Sequence, residues 1–221
     1  MNILKIKRLI SSAIRKYSKY KFVNSLKRNA ILFDIGCGNN SPRDIKSTRS
    51  DIYYVGFDVF DYNQNFQNLA DEYIIISAAT FADAIVSHGL SPDAILSNHN
   101  LEHCTNRASV LRAMMKKLRV GGLIYIAFPS SASLSLPSRS GTLNYADDCS
   151  HVMPPPNYNL LLKTLLENNF QIISTVEFNR SSIMRFIGMM LEPASFILNK
   201  VLPGTWEYFG FESVIIARKL K

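Results

Sequence analysis

From residue 31 onward, short apolar runs alternate with stretches of helical periodicity. Residues 31–35, 53–57, 73–77, 93–97, 123–128, 171–178 and 211–217 are apolar, of strand length, and bounded by glycine, proline or polar turns, which predicts buried strands. Between them, residues 81–88, 105–119 and 158–168 read as helices. In the second of these, Val110, Leu111, Met114, Met115 and Leu118 fall on one face, as core positions of a helix packed on a sheet. Strands alternating with helices predict an α/β domain.

The first run ends in Asp34-Ile35-Gly36-Cys37-Gly38 and is followed by Ser41-Pro42-Arg43-Asp44. Glycine enters positive φ freely and leaves bare backbone for a ligand to approach. Ser41 is placed to cap a helix, with Pro42 at its first position and Asp44 three residues after the cap. A strand, a glycine turn and a helix start form a nucleotide-type site, because free backbone N–H groups converge there. The dinucleotide fingerprint G-x-G-x-x-G lacks its third glycine, since Ser41 stands there. The second run ends on Asp58, about twenty residues past the turn, where a carboxylate accepts both ribose hydroxyls.

Asp34-Ile-Gly-Cys-Gly together with Asp58 resembles the first two motifs of the class I S-adenosylmethionine (SAM) dependent methyltransferases. Asp34, two residues before the first glycine, favours that family over nicotinamide dehydrogenases. The stretch Asp93-x-Ile-Leu-Ser-Asn-x-x-Leu-Glu-His103 is similar to the fourth-strand motif of the small-molecule members. Gly121-Gly122 before the fifth run completes four ordered motifs over residues 29–129, with Val120 where the family usually carries proline. The resemblance implies a Rossmann-like seven-stranded sheet with helices on both faces and an antiparallel last strand. It implies SAM as cofactor, with Asp34, Gly36, Cys37, Gly38, Asp58, Ser77, Ala78 and Asn98 around it. Ser77 stands where relatives often place an acid against the adenine amino group.

His99-Asn-Leu-Glu-His103 also matches H-x-x-E-H, a spacing that puts two histidines on one helical face for zinc. That reading needs a helix beginning before His99, whereas the strand has only just ended and Thr105 or Asn106 is the better cap. The methyltransferase reading is therefore preferred and no metal is assigned. Residues 129–157 form a long Ser- and Pro-rich loop leaving the fifth strand at the ligand edge. It carries Asp147-Asp-Cys-Ser-His151. A hydroxyl acceptor benefits from a base, so His151, His103 and Asp148 are the catalytic candidates, His151 first because histidine titrates near neutrality. No Asn-Pro-Pro-aromatic tetrapeptide follows the fourth strand, which disfavours amino methylation of nucleic acid.

Composition changes the picture at one place. The 221-residue chain has a net charge of +8, but residues 1–30 hold nine basic side chains and no acid, so the rest is close to neutral. Ile3, Ile6, Ile10, Ala13, Ile14 and Tyr17 recur at helical spacing within this segment. Residues 1–28 read as a basic amphipathic helix, ahead of a methyltransferase domain at 29–221. The helix has three readings: it packs on the domain or closes over the cofactor, it docks on an anionic membrane surface, or it meets nucleic acid, the last disfavoured without interleaved aromatics. A second apolar stretch at about 179–210 interrupts the last two strands, as a lid, a homodimer contact or a membrane-facing surface. Three scattered cysteines without C-x-x-C point to a reducing, cytoplasmic setting and against a disulfide framework. Together these readings give methyl transfer from SAM to a hydroxyl of a small molecule or glycan. The alternatives are a nicotinamide oxidoreductase and a binding or scaffold protein that keeps the fold without turnover.

Overall fold

The computed structural model describes residues 16–38, 40–61 and 69–221. Residues 1–15 of the expected basic amphipathic segment and the polar stretch at 62–68 lie outside the described residues. Seven strands form one sheet in the order β3-β2-β1-β4-β5-β7-β6. They are β1 (Ile31–Ile35), β2 (Tyr53–Asp58), β3 (Glu72–Ile75), β4 (Ala94–Asn98), β5 (Leu123–Pro129), β6 (Phe170–Val176) and β7 (Glu212–Lys219). Strands β1 to β5 are parallel, and β7 runs antiparallel to both β5 and β6. Strand order reverses between β1 and β4. Ligands bind outside the carboxyl ends of the strands at such a switch point.

Side-chain alternation along the strands divides the core into two layers. On one face, Phe33 and Ile35 of β1 and Val55 and Phe57 of β2 meet three helices, α3 (Phe81–Ser87), α4 (Arg107–Lys117) and α5 (Tyr158–Glu167). The predicted apolar positions of α4 are all buried, and Asn106 caps it by accepting the Ser109 N–H at 3.1 Å. On the other face, Leu32, Tyr54, Leu96 and Tyr125 are covered by α1 (Lys19–Asn24) and α2 (Ser41–Lys46).

Helix α1 is thus part of the core of that second face. Phe22, Val23 and Leu26 are buried, and the Phe22 and Tyr125 rings lie 5.4 Å apart. Each such side chain contributes about 1.5–3 kcal/mol by burial. The Tyr125 hydroxyl donates to the Tyr17 carbonyl at 2.9 Å. Two of the basic side chains also face the domain. Lys27 pairs with Asp93 at 3.0 Å, and Lys19 Nζ donates to Ser41 Oγ at 3.4 Å.

One local expectation is corrected. Ser41 is not the cap of α2 but its first residue, preceded by Asn40, which makes no side-chain cap bond. The Ser41 hydroxyl donates instead to Asp34 Oδ2 at 2.7 Å. A buried carboxylate needs donors, whereas Pro42 at the start of this helix has no N–H to be capped.

Between β6 and β7 lie α6 (Ser182–Ile197) and α7 (Thr205–Phe209). They cross at Gly188, where an added Cβ would stand 2.0 Å from the Gly204 carbonyl oxygen. This insertion is tied to the long loop after β5. Arg139 forms a two-pronged pair with Glu192 at 2.8 and 2.6 Å and donates to Ser195 Oγ at 2.7 Å, and Trp206 Nε1 donates to the Thr142 carbonyl at 2.8 Å. The outer face of α6 leaves Phe186, Met190, Phe196 and Ile197 exposed. No helix among the described residues is long and apolar enough to cross a membrane.

Candidate active site

The glycine turn after β1 is latched onto the end of β2. The Gly36 and Cys37 N–H groups both donate to the Phe57 carbonyl, at 2.9 and 3.2 Å. Asp58 Oδ2 accepts the Gly38 N–H at 2.6 Å and Oδ1 accepts the Val59 N–H at 2.8 Å. Burial pushes the Asp58 carboxyl upward and these backbone donors oppose it. Gly36 has φ +74° and packs so closely on Asn100 that an added Cβ would lie 2.4 Å from Asn100 Oδ1. Over Gly38 the Cβ position meets nothing within 4 Å, so the backbone there is open to a ligand.

Beneath this turn Asp34 is almost fully buried and accepts from Tyr54 at 2.6 Å as well as from Ser41. Burial raises its pKa, against the two hydroxyl donors. Asp34 therefore braces the turn from below. Cys37 is buried as well, and burial together with the Asp34 and Asp58 charges pushes its thiol far up, so it is a packing residue and not a nucleophile.

Beside the Asp58 strand end opens a cavity of about 220 Å³, lined chiefly by Val59, Ala78, Ala79, Phe81, Asn100 and His103. The apolar walls suit a purine ring. Asn100 is buried, and its Nδ2 has no hydrogen-bond partner among the described residues, so a donor is held at the cleft for an incoming acceptor. These residues fit an adenosine-bearing cofactor. Ala78 takes its expected place in the wall. Ser77 does not, because its side chain is exposed and its hydroxyl pairs with Thr80 at 2.9 Å.

Asn98 and His99 line a different cavity, of about 170 Å³, with Lys19, Tyr125, Asn179, Trp206, Glu207 and Glu212. Asn98 is thereby placed beyond the purine-sized cleft, on the side covered by α1 and α7. His99 has φ +52°, an uncommon conformation for a residue with a side chain. Its Nδ1 lies 3.0 Å from Glu102 Oε1 and its Nε2 lies 2.9 Å from Glu212 Oε1. Burial works against the charged ring, but the two carboxylates outweigh it and raise its pKa to about 10. His99 is therefore a fixed imidazolium between two carboxylates and not a base.

The catalytic candidates converge on the opposite flank of the same turn. The His103 and His151 rings are 4.8 Å apart. His151 Nδ1 lies 2.7 Å from the Tyr145 carbonyl, and its Nε2 is 3.9 Å from Asp148 Oδ2. Ser150 Oγ is 2.9 Å from His103 Nδ1 and 2.5 Å from Asp148 Oδ1. Burial opposes the Asp148 carboxylate, but the Ser150 donors and the neighbouring histidines hold it below its ordinary range.

Arg107 brings the loop to this position. It donates to the carbonyls of Leu101 and Glu102 on one side and to those of Val152 and Pro154 on the other. The Val152 N–H returns a bond to the Glu102 carbonyl at 2.8 Å. The sequence pattern did not single out Arg107, Asn100, Glu212 or Trp206, and it offered His99 only as a zinc ligand. Only His99 had a local signal, in its H-x-x-E-H spacing, and its second carboxylate lies 113 residues away.

The methyltransferase-domain family profile matches residues 33–126. No curated protein matches the chain in sequence. Among solved structures, a SAM-dependent methyltransferase from Archaeoglobus fulgidus is similar with 18% identity and a TM-score of 0.55, covering 96% of this chain and 94% of its own. A SAM-dependent methyltransferase from Mesorhizobium loti aligns with 14% identity and a TM-score of 0.57, over 91% of this chain and 97% of its own. The Burkholderia thailandensis 1,6-didemethyltoxoflavin-N1-methyltransferase, solved with S-adenosylhomocysteine, has 14% identity and a TM-score of 0.54, over 98% of this chain and 80% of its own. The sheet order, the glycine turn and the Asp58 strand end agree with these structures in fold, and residues 33–126 match the methyltransferase-domain profile: the chain has the Rossmann-like methyltransferase fold and carries a stretch similar to a methyltransferase domain.

Proposed function

We propose that the protein methylates a hydroxyl group of a small molecule or glycan. The observation that carries this reading is the joined cluster of His103, Ser150, Asp148 and His151, which opens onto the cofactor cleft through His103. SAM supplies an electrophilic methyl group on a sulfonium. Asp58, the Gly36–Gly38 backbone and the Val59, Ala78 and Phe81 wall would hold its adenosine part.

The chain's own task is to place an acceptor in line and to help its oxygen shed a proton. Orientation at about 3–3.5 Å accounts for much of such catalysis, and a positioned base typically adds about 10²–10⁴-fold. With Nδ1 held by the Tyr145 carbonyl, His151 keeps Nε2 as the lone-pair nitrogen, which suits it to receive a hydroxyl proton. His99 is spoken for by its two carboxylates, and amine acceptors, which need no such help once neutral, leave the cluster without a role.

Incubation with isotope-labelled methyl-SAM and a panel of phenols, sugars and amines tests the reading. Label on oxygen is expected. Label only on nitrogen or carbon would overturn it, and SAM binding without any product would favour the scaffold alternative. His151→Ala should lower kcat by about 10²-fold while SAM affinity stays within about twofold. The basic segment adds a proposed location. Residues 1–15 carry Lys5, Lys7, Arg8 and Arg15 beside Ile3, Ile6 and Ile10, a composition that favours reversible attachment to an anionic membrane surface.

A further inference from the structure

We infer that Glu102, His103 and His151 form a binding site for a divalent transition-metal cation, Zn²⁺ by ligand type. One ligand atom of each residue lies within 4.8 Å of the others. Two histidine nitrogens and a carboxylate are a donor set found in zinc sites.

The hydrogen bonds around the cluster decide which ring nitrogens keep their lone pairs. The Tyr145 carbonyl can only accept, so His151 Nδ1 carries the proton and Nε2 the lone pair. Ser150 donates its own proton to Asp148, so it accepts from His103 Nδ1–H and again leaves Nε2 as the lone-pair nitrogen. Metal-ligating histidines are held in this way, with the outer ring N–H on a carbonyl or a hydrogen-bonded side chain. Glu102 supplies the independent observation. It is 1% exposed, its Oε1 is engaged by His99, and its Oε2 has no hydrogen-bond partner among the described residues. A buried carboxylate oxygen without a donor is costly, and this carboxylate belongs to the same cluster as the two imidazoles. A cation satisfies all three.

The backbone already holds the geometry. Glu102 and His103 share the 3₁₀ turn Leu101–His103, and Val152 and Arg107 fasten the His151 loop to that turn. Three protein ligands leave positions open, the form of a catalytic rather than a closed structural site. A hydroxyl taking an open position would be acidified by the cation. Its proton would leave to solvent, the O–CH₃ bond would form as the S–CH₃ bond breaks, and the sulfur would keep the electron pair. This role rests on the oxygen-acceptor reading above, with the cation held on His151 Nε2 taking the place of His151 as base, whereas cation binding itself does not rest on it.

The test is calorimetry with Zn²⁺ and visible absorption with Co²⁺ on the full chain, stripped with chelator and without SAM. One cation per chain is expected. His103→Asn and His151→Asn should weaken binding by more than about 100-fold, and Ser150→Ala by roughly 10-fold as an outer-shell partner. Cys149→Ser, at an exposed thiol two residues from His151, should bind as the parent does. Thermal melts of every variant check the fold, and exposed His103 decides the matter where His151→Asn unfolds. Unchanged affinity in folded His103→Asn, no bound cation in the parent, or loss in Cys149→Ser would overturn the site. Cation binding without methylation of oxygen would sink the proposed function and leave the site standing. Oxygen methylation without cation binding would do the reverse.

Discussion

The two cavities flanking the Asn98–His103 turn are built on different principles. The cleft beside Asp58 is lined by Val59, Ala78, Ala79 and Phe81 on one side and by Asn100 and His103 on the other, next to a glycine turn held by main-chain bonds to the Phe57 carbonyl. The cavity beneath Trp206 is lined by polar, aromatic and charged side chains brought from distant parts of the chain, with His99 between Glu102 and Glu212. A cleft for an invariant cofactor can be written in main-chain geometry. A cavity lined by side chains from distant segments depends instead on loops and insertions, which can change without disturbing the sheet.

The contrast can be broken most severely at Gly36. In Gly36→Val the side chain would collide with Asn100 and hold a β-branched residue at φ +74°, so a stability loss of about 3 kcal/mol or more is expected in urea unfolding. A loss below about 1 kcal/mol would mean that the turn relaxes and is not built on glycine.

Asp58→Ala comes next. It removes the carboxylate that the ribose hydroxyls would use, and SAM affinity should fall by roughly 1.5–3 kcal/mol in calorimetry. The variant also frees the Gly38 and Val59 N–H groups, which water can reach at the open turn, so melting should shift little. Unchanged affinity would remove Asp58 from the cleft.

On the side-chain-built flank, Glu212→Gln should cost about 1–2 kcal/mol of stability, because His99 loses one charged partner and keeps a hydrogen-bonding one. SAM affinity should stay within about twofold. A large loss of cofactor binding here would show that the two cavities act as one.

The smallest effect on the cofactor cleft is expected from deleting residues 1–15. Cutting there spares Phe22, Val23 and Leu26, whose burial makes a cut after residue 28 a lesion in the core. SAM affinity should not change, while co-sedimentation with anionic vesicles should fall, more at low than at high salt. Equal pelleting of both forms would end the membrane reading.

Much of the cofactor side was legible in the sequence because its signals are local. Alternation of apolar runs gives strands, glycines next to a strand end give a ligand turn, and an acid about twenty residues later falls on the neighbouring strand. Ser41 shows where local logic stops. Its position before a proline favours a cap, yet a buried carboxylate seven residues earlier in the chain claims its hydroxyl. Ser77 likewise turns to Thr80 three residues on, and leaves the cleft wall to alanine.

What the sequence by itself determined, then, is the sheet, the glycine turn and Asp58, because their spacing is set by strand and turn geometry within one βαβ unit. The tertiary structure decided the fate of the four-residue interval from His99 to His103. One histidine is charged between Glu102, three residues on, and Glu212, 113 residues on, and the other joins Ser150 across 47 residues. The pentapeptide reads the same way in either role. Only the folded loop, pinned by Arg107, settles which nitrogen keeps its lone pair and what stands opposite it.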